Sequence, residues 1–151
     1  MIDQRLDESR LVDVEERVRR GRWRSGGWLL RLGGDGQGNR ARGNRTTDGS
    51  TIRSLLDLSV APVANHSLAE AALPAGGQTE RHHHKVSEEM YYLLEGEARM
   101  EIDGEERMVT VGDAVLIPVG TWHQITNTGD CDLRFLCTCS PPWTAEDTYF
   151  A

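Results

Sequence analysis

Short segments rich in β-branched, aromatic and aliphatic residues follow one another from Thr51 onward, and turn residues divide them. Turn signals such as Pro74 and the pair Asp103-Gly104 separate the segments, and no stretch of helical periodicity lies between them. Many short strands without intervening helices predict an all-β sandwich or barrel. The predicted strands are His66–Leu73, Glu89–Leu94, Ala98–Ile102, Arg107–Val111, Ala114–Ile117, Gln124–Asn127 and Leu133–Cys139.

The first fifty residues have a different character. A short amphipathic helix is predicted over residues 9–20 from three apolar residues spaced along one helical face: Leu11, Val14 and Val18. Residues 33–50 are rich in Gly, Asn and Arg, and they contain no large apolar side chain to offset the entropy of ordering. We therefore divide the chain into a partly helical or disordered N-terminal arm and linker, residues 1–50, and a β domain, residues 51–151.

Charge separates the same two regions. The chain has 151 residues and a formal net charge of −7, a length that suits one domain. Residues 1–50 carry 11 Arg against 8 acidic residues, whereas residues 51–151 carry 6 basic against 16 acidic residues. Because the acidic β domain would repel a phosphate backbone, no nucleic-acid partner is expected.

Hydropathy and cysteine usage point to the cytoplasm. No apolar run approaches the ~20 residues of a membrane helix, and Met1–Arg20 lacks the apolar centre of a signal peptide. The three cysteines are Cys131, Cys137 and Cys139. The last two, in a Cys-x-Cys arrangement on one strand, are poorly spaced for a disulfide, so reduced thiols are expected.

Three histidines and one glutamate form the candidate functional constellation. His82 and His84 are two residues apart, so on a strand both imidazoles face the same side, while His83 between them faces away. Glu89 follows shortly after, and His123 begins another predicted strand. Three imidazoles and one carboxylate suit a divalent transition metal: Fe, Mn, Ni, Zn, Co or Cu.

These residues lie in two motifs that resemble those of the cupin superfamily. The first, G-x5-H-x-H-x4-E-x6-G, is matched by Gly76, His82, His84, Glu89 and Gly96. The second, G-x5-P-x-G-x2-H-x3-N, is matched by Gly112, Pro118, Gly120, His123 and Asn127. The resemblance covers about residues 60–142, and the spacing between the motifs is similar to that of small bacterial single-domain cupins. It implies a double-stranded β-helix, or jelly-roll barrel, with His82, His84, Glu89 and His123 as the metal ligands.

The resemblance leaves the reaction open, because cupins use the same ligands in many chemistries. We expect a metal-dependent enzyme that acts on a small molecule in the barrel pocket, either an oxygenase or a redox-neutral isomerase, cyclase or lyase. The alternative is a non-catalytic cupin that binds a sugar or another metabolite. Small cupins often pair through edge strands, so a homodimer is expected, and the arm would be available to cover a sheet edge.

Tyr91 is the candidate catalytic residue. It follows Glu89 by two residues and so shares the inward face, where a phenol could act as acid, base or ligand clamp. A purely structural tyrosine is the other interpretation. On the last predicted strand Cys137 and Cys139 share an inward face, and a Cys137 thiol near the metal is a further hypothesis. Arg99 and Arg134 are predicted to be surface charges.

Overall fold

The computed structural model describes the backbone of residues 19–22, 28–31 and 44–45, and residues 50–58 and 63–151 with their side chains. Among these residues no helix has the length and apolar character required to cross a membrane.

Almost all of the regular structure is β-strand. The strands, in chain order, are β1 (Arg19–Arg22), β2 (Trp28–Arg31), β3 (Asn44–Arg45), β4 (Thr51–Leu56), β5 (Ser67–Leu73), β6 (His82–His84), β7 (Glu88–Glu95), β8 (Glu97–Ile102), β9 (Glu105–Thr110), β10 (Asp113–Ile117), β11 (His123–Asn127), β12 (Leu133–Ser140) and β13 (Thr148–Phe150). A short 3₁₀ helix, Ala145–Asp147, precedes β13. Each of the seven strands predicted from the sequence is present, with bounds shifted by at most two residues.

The strands form two antiparallel sheets. One has the order β1-β2-β10-β7-β12-β5-β4-β3, and the other has the order β13-β6-β11-β8-β9. Strands that are distant in sequence, such as β5 and β12 or β7 and β10, are neighbours in the first sheet, as the strand crossovers of a jelly roll require. The prediction of an all-β jelly-roll fold is therefore confirmed.

The arm contributes strands to the larger sheet. Strand β2 pairs with β10 of the same chain, and β1 pairs with β2. Residues 19 and 20 therefore lie in a strand, and the predicted helix over 9–20 is wrong at these two positions; its remainder lies outside the described residues. Within the predicted linker over 33–50, residues 44 and 45 pair with β4.

Alternation along the strands directs one face of each sheet into a common core. Leu73, Leu93, Met100, Ile125 and Phe135 are among its fully buried side chains. Burying such side chains against the opposite sheet supplies the main driving force for folding, at about 25 cal/mol per Å² of apolar surface. The metal-binding candidates lie on this same inward face.

Two turns have the backbone conformations that their glycine-containing sequences predict. Asp103 and Gly104 both have positive φ, 49° and 84°, as a two-residue hairpin between β8 and β9 requires. Gly96 also has positive φ, and a Cβ atom there would lie 3.1 Å from the Cα of Leu133. The motif glycine at position 96 is thus needed both for backbone conformation and for close approach to β12.

Candidate metal centre

The fold brings the four predicted ligands together. One ligand atom from each of His82, His84, Glu89 and His123 lies within 4.8 Å of those of the other three. His84, Glu89 and His123 are buried, and His82 is partly exposed. The convergence that the sequence spacing predicted is therefore present.

Strand pairing produces this convergence. His123 of β11 lies directly opposite His82 of β6. Glu89 of β7 belongs to the other sheet, where it lies opposite Ile117 of β10, so the site bridges the two sheets. The turn that starts at Pro118 leads into β11, and its Gly120 N–H donates to the carbonyl oxygen of His84 at 2.7 Å.

Hydrogen bonds set the tautomers of the imidazoles. The Nδ1 atom of His82 lies 2.7 Å from the carbonyl oxygen of Glu80, and that of His123 lies 3.0 Å from the carbonyl oxygen of Thr121. Since a carbonyl oxygen can only accept, each Nδ1 carries the proton. In the neutral rings Nε2 is then left with a free lone pair, which is the arrangement of a metal-ligating histidine.

The Nε2 atoms of two rings converge on a single carboxylate oxygen. Glu89 Oε2 lies 3.2 Å from His84 Nε2 and 3.1 Å from His123 Nε2. Although they are this close, Glu89 Oε2 and His123 Nε2 are buried without a hydrogen bond of acceptable geometry. Lone pairs that face one another in a buried site require a proton or a cation between them. The donor set and its unsatisfied atoms thus fit a divalent transition metal.

The electrostatics of the cation-free cluster reflect the same convergence. Burial opposes the charge on Glu89, but the close approach of the His123 and His84 imidazoles outweighs burial and holds the pKa of Glu89 far below its ordinary value. Burial would lower the pKa of His84, but the adjacent, negatively charged Glu89 raises it. Burial, together with the charge of His123, lowers the pKa of His82 to about 4.

Tyr91 lies beside the cluster, as predicted. Its side chain is buried, and its ring centroid lies 6.0 Å from that of His123 and 4.7 Å from that of Phe135. Burial, and then the charge of Glu89, to which it is hydrogen-bonded, raise the pKa of Tyr91 well above its ordinary value. The phenol is therefore protonated at neutral pH in the cation-free site, which suits a hydrogen-bond donor better than a base.

Cys139, rather than Cys137, contacts the cluster. Cys139 lies opposite Glu89 in the pairing of β12 with β7, and its Sγ donates to Glu89 Oε1 at 3.6 Å. The Cys137 thiol instead donates to the carbonyl oxygen of Ala69 at 3.7 Å. Burial raises the pKa of both thiols, so both are protonated. The two oxygens of Glu89 consequently differ, since Oε1 accepts from a thiol whereas Oε2 faces the imidazoles.

The structure also locates three other residues whose orientation was predicted from the sequence. His83 points away from the cluster as predicted, with its ring stacked on Tyr149 at 5.2 Å. Arg99 is exposed as predicted. The prediction that Arg134 is a surface charge is wrong: its side chain is only 5 % exposed, and it forms ion pairs with Glu70 and Glu95 at 2.7 and 2.5 Å.

A cavity of about 280 Å³ opens beside the candidate ligands. Three of them, His82, His84 and Glu89, line it. The rest of its wall is largely apolar, with Ile52 and Phe135 among the lining side chains. A buried donor cluster that opens onto a largely apolar cavity has the form of a small-molecule site.

The sequence analysis missed the segment that closes one side of this cavity. Residues 141–151, which we call the C-terminal segment, begin with the two prolines at which the strand pattern ends. The segment adds β13 beside β6, and its Trp143, Thr148 and Phe150 line the cavity. A run of a β-branched and two aromatic residues was the available signal, but three residues are too few for alternation to be recognised.

Polar contacts join this segment to the loop after β6 and to the ring of His84. The Asp147 carboxylate accepts from the backbone N–H groups of Val86 and Ser87, at 2.7 and 2.9 Å. Thr148 Oγ1 lies 3.4 Å from His84 Nδ1. The C-terminal segment therefore supports the ring of one candidate ligand as well as the cavity wall.

Comparison with known proteins relates this arrangement to a family. The family model described as a cupin domain matches residues 69–139. Uncharacterized protein MJ1618 of Methanocaldococcus jannaschii is 46 % identical over 103 residues, which are 68 % of this chain and 82 % of that protein. The oxalate-binding protein of Thermotoga maritima is 37 % identical over 68 residues, which are 45 % of this chain and 56 % of that protein.

A solved structure gives the same result. The oxalate decarboxylase of Lactobacillus farciminis, in its formate complex, superposes with a TM-score of 0.63 at 27 % identity over 70 % of this chain. The match spans about a third of the decarboxylase chain, 32 %. With both sequence motifs, the jelly-roll topology and these matches in agreement, the chain belongs to the cupin superfamily.

Proposed function

We propose that this chain is a metal-dependent enzyme that acts on a small molecule bound in the barrel cavity. The observation that carries the proposal is the position of the donor cluster: His82, His84 and Glu89 form part of the wall of a cavity of about 280 Å³. Residues 51–151 would form the catalytic domain. A metal used only to stabilise the fold would have no need of such a cavity beside it.

His82, His84, Glu89 and His123 would hold one divalent metal, and Fe, Mn, Ni, Zn, Co and Cu all suit this donor set. When bound, the metal would serve as a Lewis acid or as an oxygen-activating centre, which corresponds to a redox-neutral isomerase, cyclase or lyase or to an oxygenase. The chain itself supplies a site shielded from water, because core side chains such as Phe135 close the inner wall.

Tyr91 would take part as a hydrogen-bond donor. Burial, and then the negative charge of Glu89, keep its hydroxyl protonated in the cation-free site. A protonated phenol that also lines the cavity can donate to an oxygen of a bound substrate or deliver a proton to it. Replacing Tyr91 with Phe removes this donor and leaves every proposed metal ligand in place.

Binding without turnover is the second candidate function. The similarity to an oxalate-binding protein favours it. A substrate-dependent reaction by the metal-loaded chain, lost in Tyr91→Phe with metal retained, would support the enzyme. Ligand binding with no turnover on any reactive probe would support the binding protein.

We further propose that the chain is a cytoplasmic homodimer. Strand β9 forms an edge of the five-stranded sheet, and its Met108 side chain is 54 % exposed, so this edge is available for pairing with a second chain. Equilibrium sedimentation of the full chain should give twice the mass of 16.9 kDa. A single species at the monomer mass would contradict the dimer.

The metal content of untagged, purified full-length chain tests the central proposal. About one transition metal per chain is expected by mass spectrometry, and His84→Ala should lose it. His83→Ala is the matched control, because His83 lies on the same strand but its ring stacks outside the cluster on Tyr149. A chain that takes up no divalent transition metal, or a control that loses metal as fully as His84→Ala, would overturn the proposal.

A further inference from the structure

We infer that Asp147 and Thr148, two adjacent residues of the C-terminal segment, are positioning residues of the metal centre. Thr148 orients the ring of His84. Asp147 fixes the loop that joins this histidine to Glu89. The inference rests on the proposed function, because it concerns the same candidate ligands. Both residues lie outside the two sequence motifs and beyond residues 69–139, which the cupin family model matches.

The ring of His84 differs from those of the other two candidate histidines in the contact of its Nδ1 atom. For the other two rings this contact is a backbone carbonyl oxygen two residues earlier in the chain. For His84 it is the side-chain Oγ1 of Thr148, 64 residues later, at 3.4 Å. The orientation of this ring therefore depends on a segment that is distant in sequence.

The hydroxyl of Thr148 determines which way the proton points. It donates its only proton to the carbonyl oxygen of Thr144, 3.2 Å away, because a carbonyl oxygen can only accept. Its oxygen is left with lone pairs for His84, so Nδ1 of that ring carries the proton. In the neutral ring Nε2, which lies 3.2 Å from Glu89 Oε2, is then left to ligate a metal.

Asp147 holds the loop between two candidate ligands. Its carboxylate accepts from the N–H groups of Val86 and Ser87 at 2.7 and 2.9 Å, and these residues lie between His84 and Glu89. Each carboxylate oxygen accepts one of the two bonds. Such charge-assisted bonds are roughly twice as strong as those between neutral groups. Asp147 is therefore placed to set the path of the chain from one ligand to the next.

Backbone hydrogen bonds keep β13 in place beside β6. Thr148 lies opposite His84 in the pairing of the two strands. The Lys85 N–H donates to the carbonyl oxygen of Asp147 at 3.3 Å, and the N–H of the last residue, Ala151, donates to that of Arg81 at 3.0 Å. A strand held at both ends keeps the Thr148 side chain at one position, as the outer partner of a metal-ligating histidine requires.

Thr148→Val tests the hydroxyl, since valine retains the branched shape of the side chain. The zinc affinity of the full-length chain should fall about tenfold in a chelator competition, within the range that partners of metal ligands contribute. Thr148→Ser retains the hydroxyl and should recover most of the loss. Thr144→Val is the matched control and should bind zinc normally, because the backbone carbonyl of Thr144 is the group that contacts Thr148.

Nuclear magnetic resonance of the zinc-loaded chain separates positioning from a general loosening of the fold. Exchange of the His84 Nδ1 proton with water should be faster in Thr148→Val and slow again in Thr148→Ser. The Nδ1 protons of His82 and His123 should exchange as in the unmodified chain, because their acceptors are unchanged. Equal acceleration in all three rings would overturn the role of Thr148.

Asp147→Ala tests the loop. It removes both acceptor oxygens, and zinc affinity should fall about tenfold. Asp147→Asn retains one acceptor oxygen and should lose less. Glu146→Ala is the matched control, since Glu146 is the preceding carboxylate and is exposed on the same 3₁₀ helix. Zinc affinity equal to that of the unmodified chain in folded Asp147→Ala, or an equal loss in Glu146→Ala, would overturn the role of Asp147.

The outcomes separate this inference from the function on which it rests. Unchanged zinc affinity in Thr148→Val, or a loss that Thr148→Ser does not recover, would overturn the inference, while an unmodified chain that binds zinc still supported the proposed function. An unmodified chain that binds no divalent transition metal would instead overturn the proposed function itself.

Discussion

Two shielded carboxylates on opposite faces of the same sheet have very different surroundings. The Glu70 side chain is 12 % exposed, and it receives Arg53 at 2.6 Å and Arg134 at 2.7 Å. The Glu89 side chain is 7 % exposed, and its Oε2 instead faces the Nε2 atoms of His84 and His123. Both groups have a lowered pKa, although burial opposes it in each case.

The two carboxylates differ in the residues that balance their negative charge. Arginine is permanently charged and supplies protons to both oxygens of its partner, so the charge of Glu70 is already balanced within the chain. Histidine carries no permanent charge, so the negative charge of Glu89 is balanced only when the cluster takes up a proton or a cation. Burial of a carboxylate is therefore not by itself a sign of a site. The identity of its partners decides between structure and function.

The largest effect should come from removing Glu89, the carboxylate that faces histidines rather than arginines. Glu89→Ala deletes the only anionic candidate ligand, and metal affinity should fall by more than about 100-fold, because even supporting residues around a metal contribute about 10- to 100-fold. Competition with a chelator measures it. Glu88→Ala, one residue earlier and exposed on β7, is the control and should bind metal normally. Equal losses in the two variants would contradict the assignment of Glu89.

Removing Glu70, the carboxylate that is paired with two arginines, should lower the stability of the fold rather than the metal affinity. Glu70→Ala leaves two guanidinium groups without this partner, and the free energy of unfolding should fall by about 2 kcal/mol, less than the ~3–5 kcal/mol typical of a fully buried pair. Arg134 retains Glu95, which moderates the loss. Urea denaturation measures the change, and metal affinity should stay the same. Arg99→Ala, at an exposed ion pair, should cost less than about 1 kcal/mol.

The surroundings of Glu89 could be predicted from the sequence, whereas those of Glu70 could not. Strand alternation and fixed spacings place His82, His84 and His123 on inward faces, and these are properties of single strands. The shielding of Arg134 depends on Glu70 and Glu95, which belong to two different neighbouring strands. Period-two alternation identifies the outward face correctly, but it does not reveal what neighbours cover that face.

Register explains the remaining differences at the site. Alternation puts Cys137 and Cys139 on the same inward face, and only the pairing of β12 with β7 determines that Cys139 lies opposite Glu89. The wall formed by Trp143 and Phe150 was missed because β13 is a three-residue strand beyond a pair of prolines. Contacts between distant segments therefore decide the details around the candidate ligands, whereas the candidate ligands themselves follow from the two sequence motifs.

A smaller effect should come from the thiol that holds Oε1 of Glu89. Cys139→Ala removes the Sγ donor at 3.6 Å, so the carboxylate loses one constraint on its orientation, and metal affinity should fall about tenfold. Cys139→Ser retains a donor and should recover part of the loss. Cys137→Ala is the matched control, since that thiol donates to the carbonyl oxygen of Ala69. A chelator competition in which Cys137→Ala and Cys139→Ala behave alike would rule out the positioning role.

The smallest effect should be the pH dependence of the metal-free fold. The pKa of His82 is lowered to about 4 in the folded chain, against about 6.5 when unfolded, so its contribution is complete above pH 6.5 and is lost as the pH falls toward 4. The raised pKa of His84 acts in the opposite direction, favouring the fold below pH 6.5. Because the pKa of His82 falls as far as about 4, its effect exceeds that of His84, and the free energy of unfolding of the chelator-treated chain should fall by about 1 kcal/mol between pH 7 and pH 5 in urea denaturation. The loss should shrink in His82→Gln and persist in His83→Gln. The ion pairs of Glu70 with arginine contain no group that titrates between pH 7 and pH 5. If His82→Gln lost as much stability as the unmodified chain, the histidine cluster around Glu89 would not be the origin of the acid sensitivity.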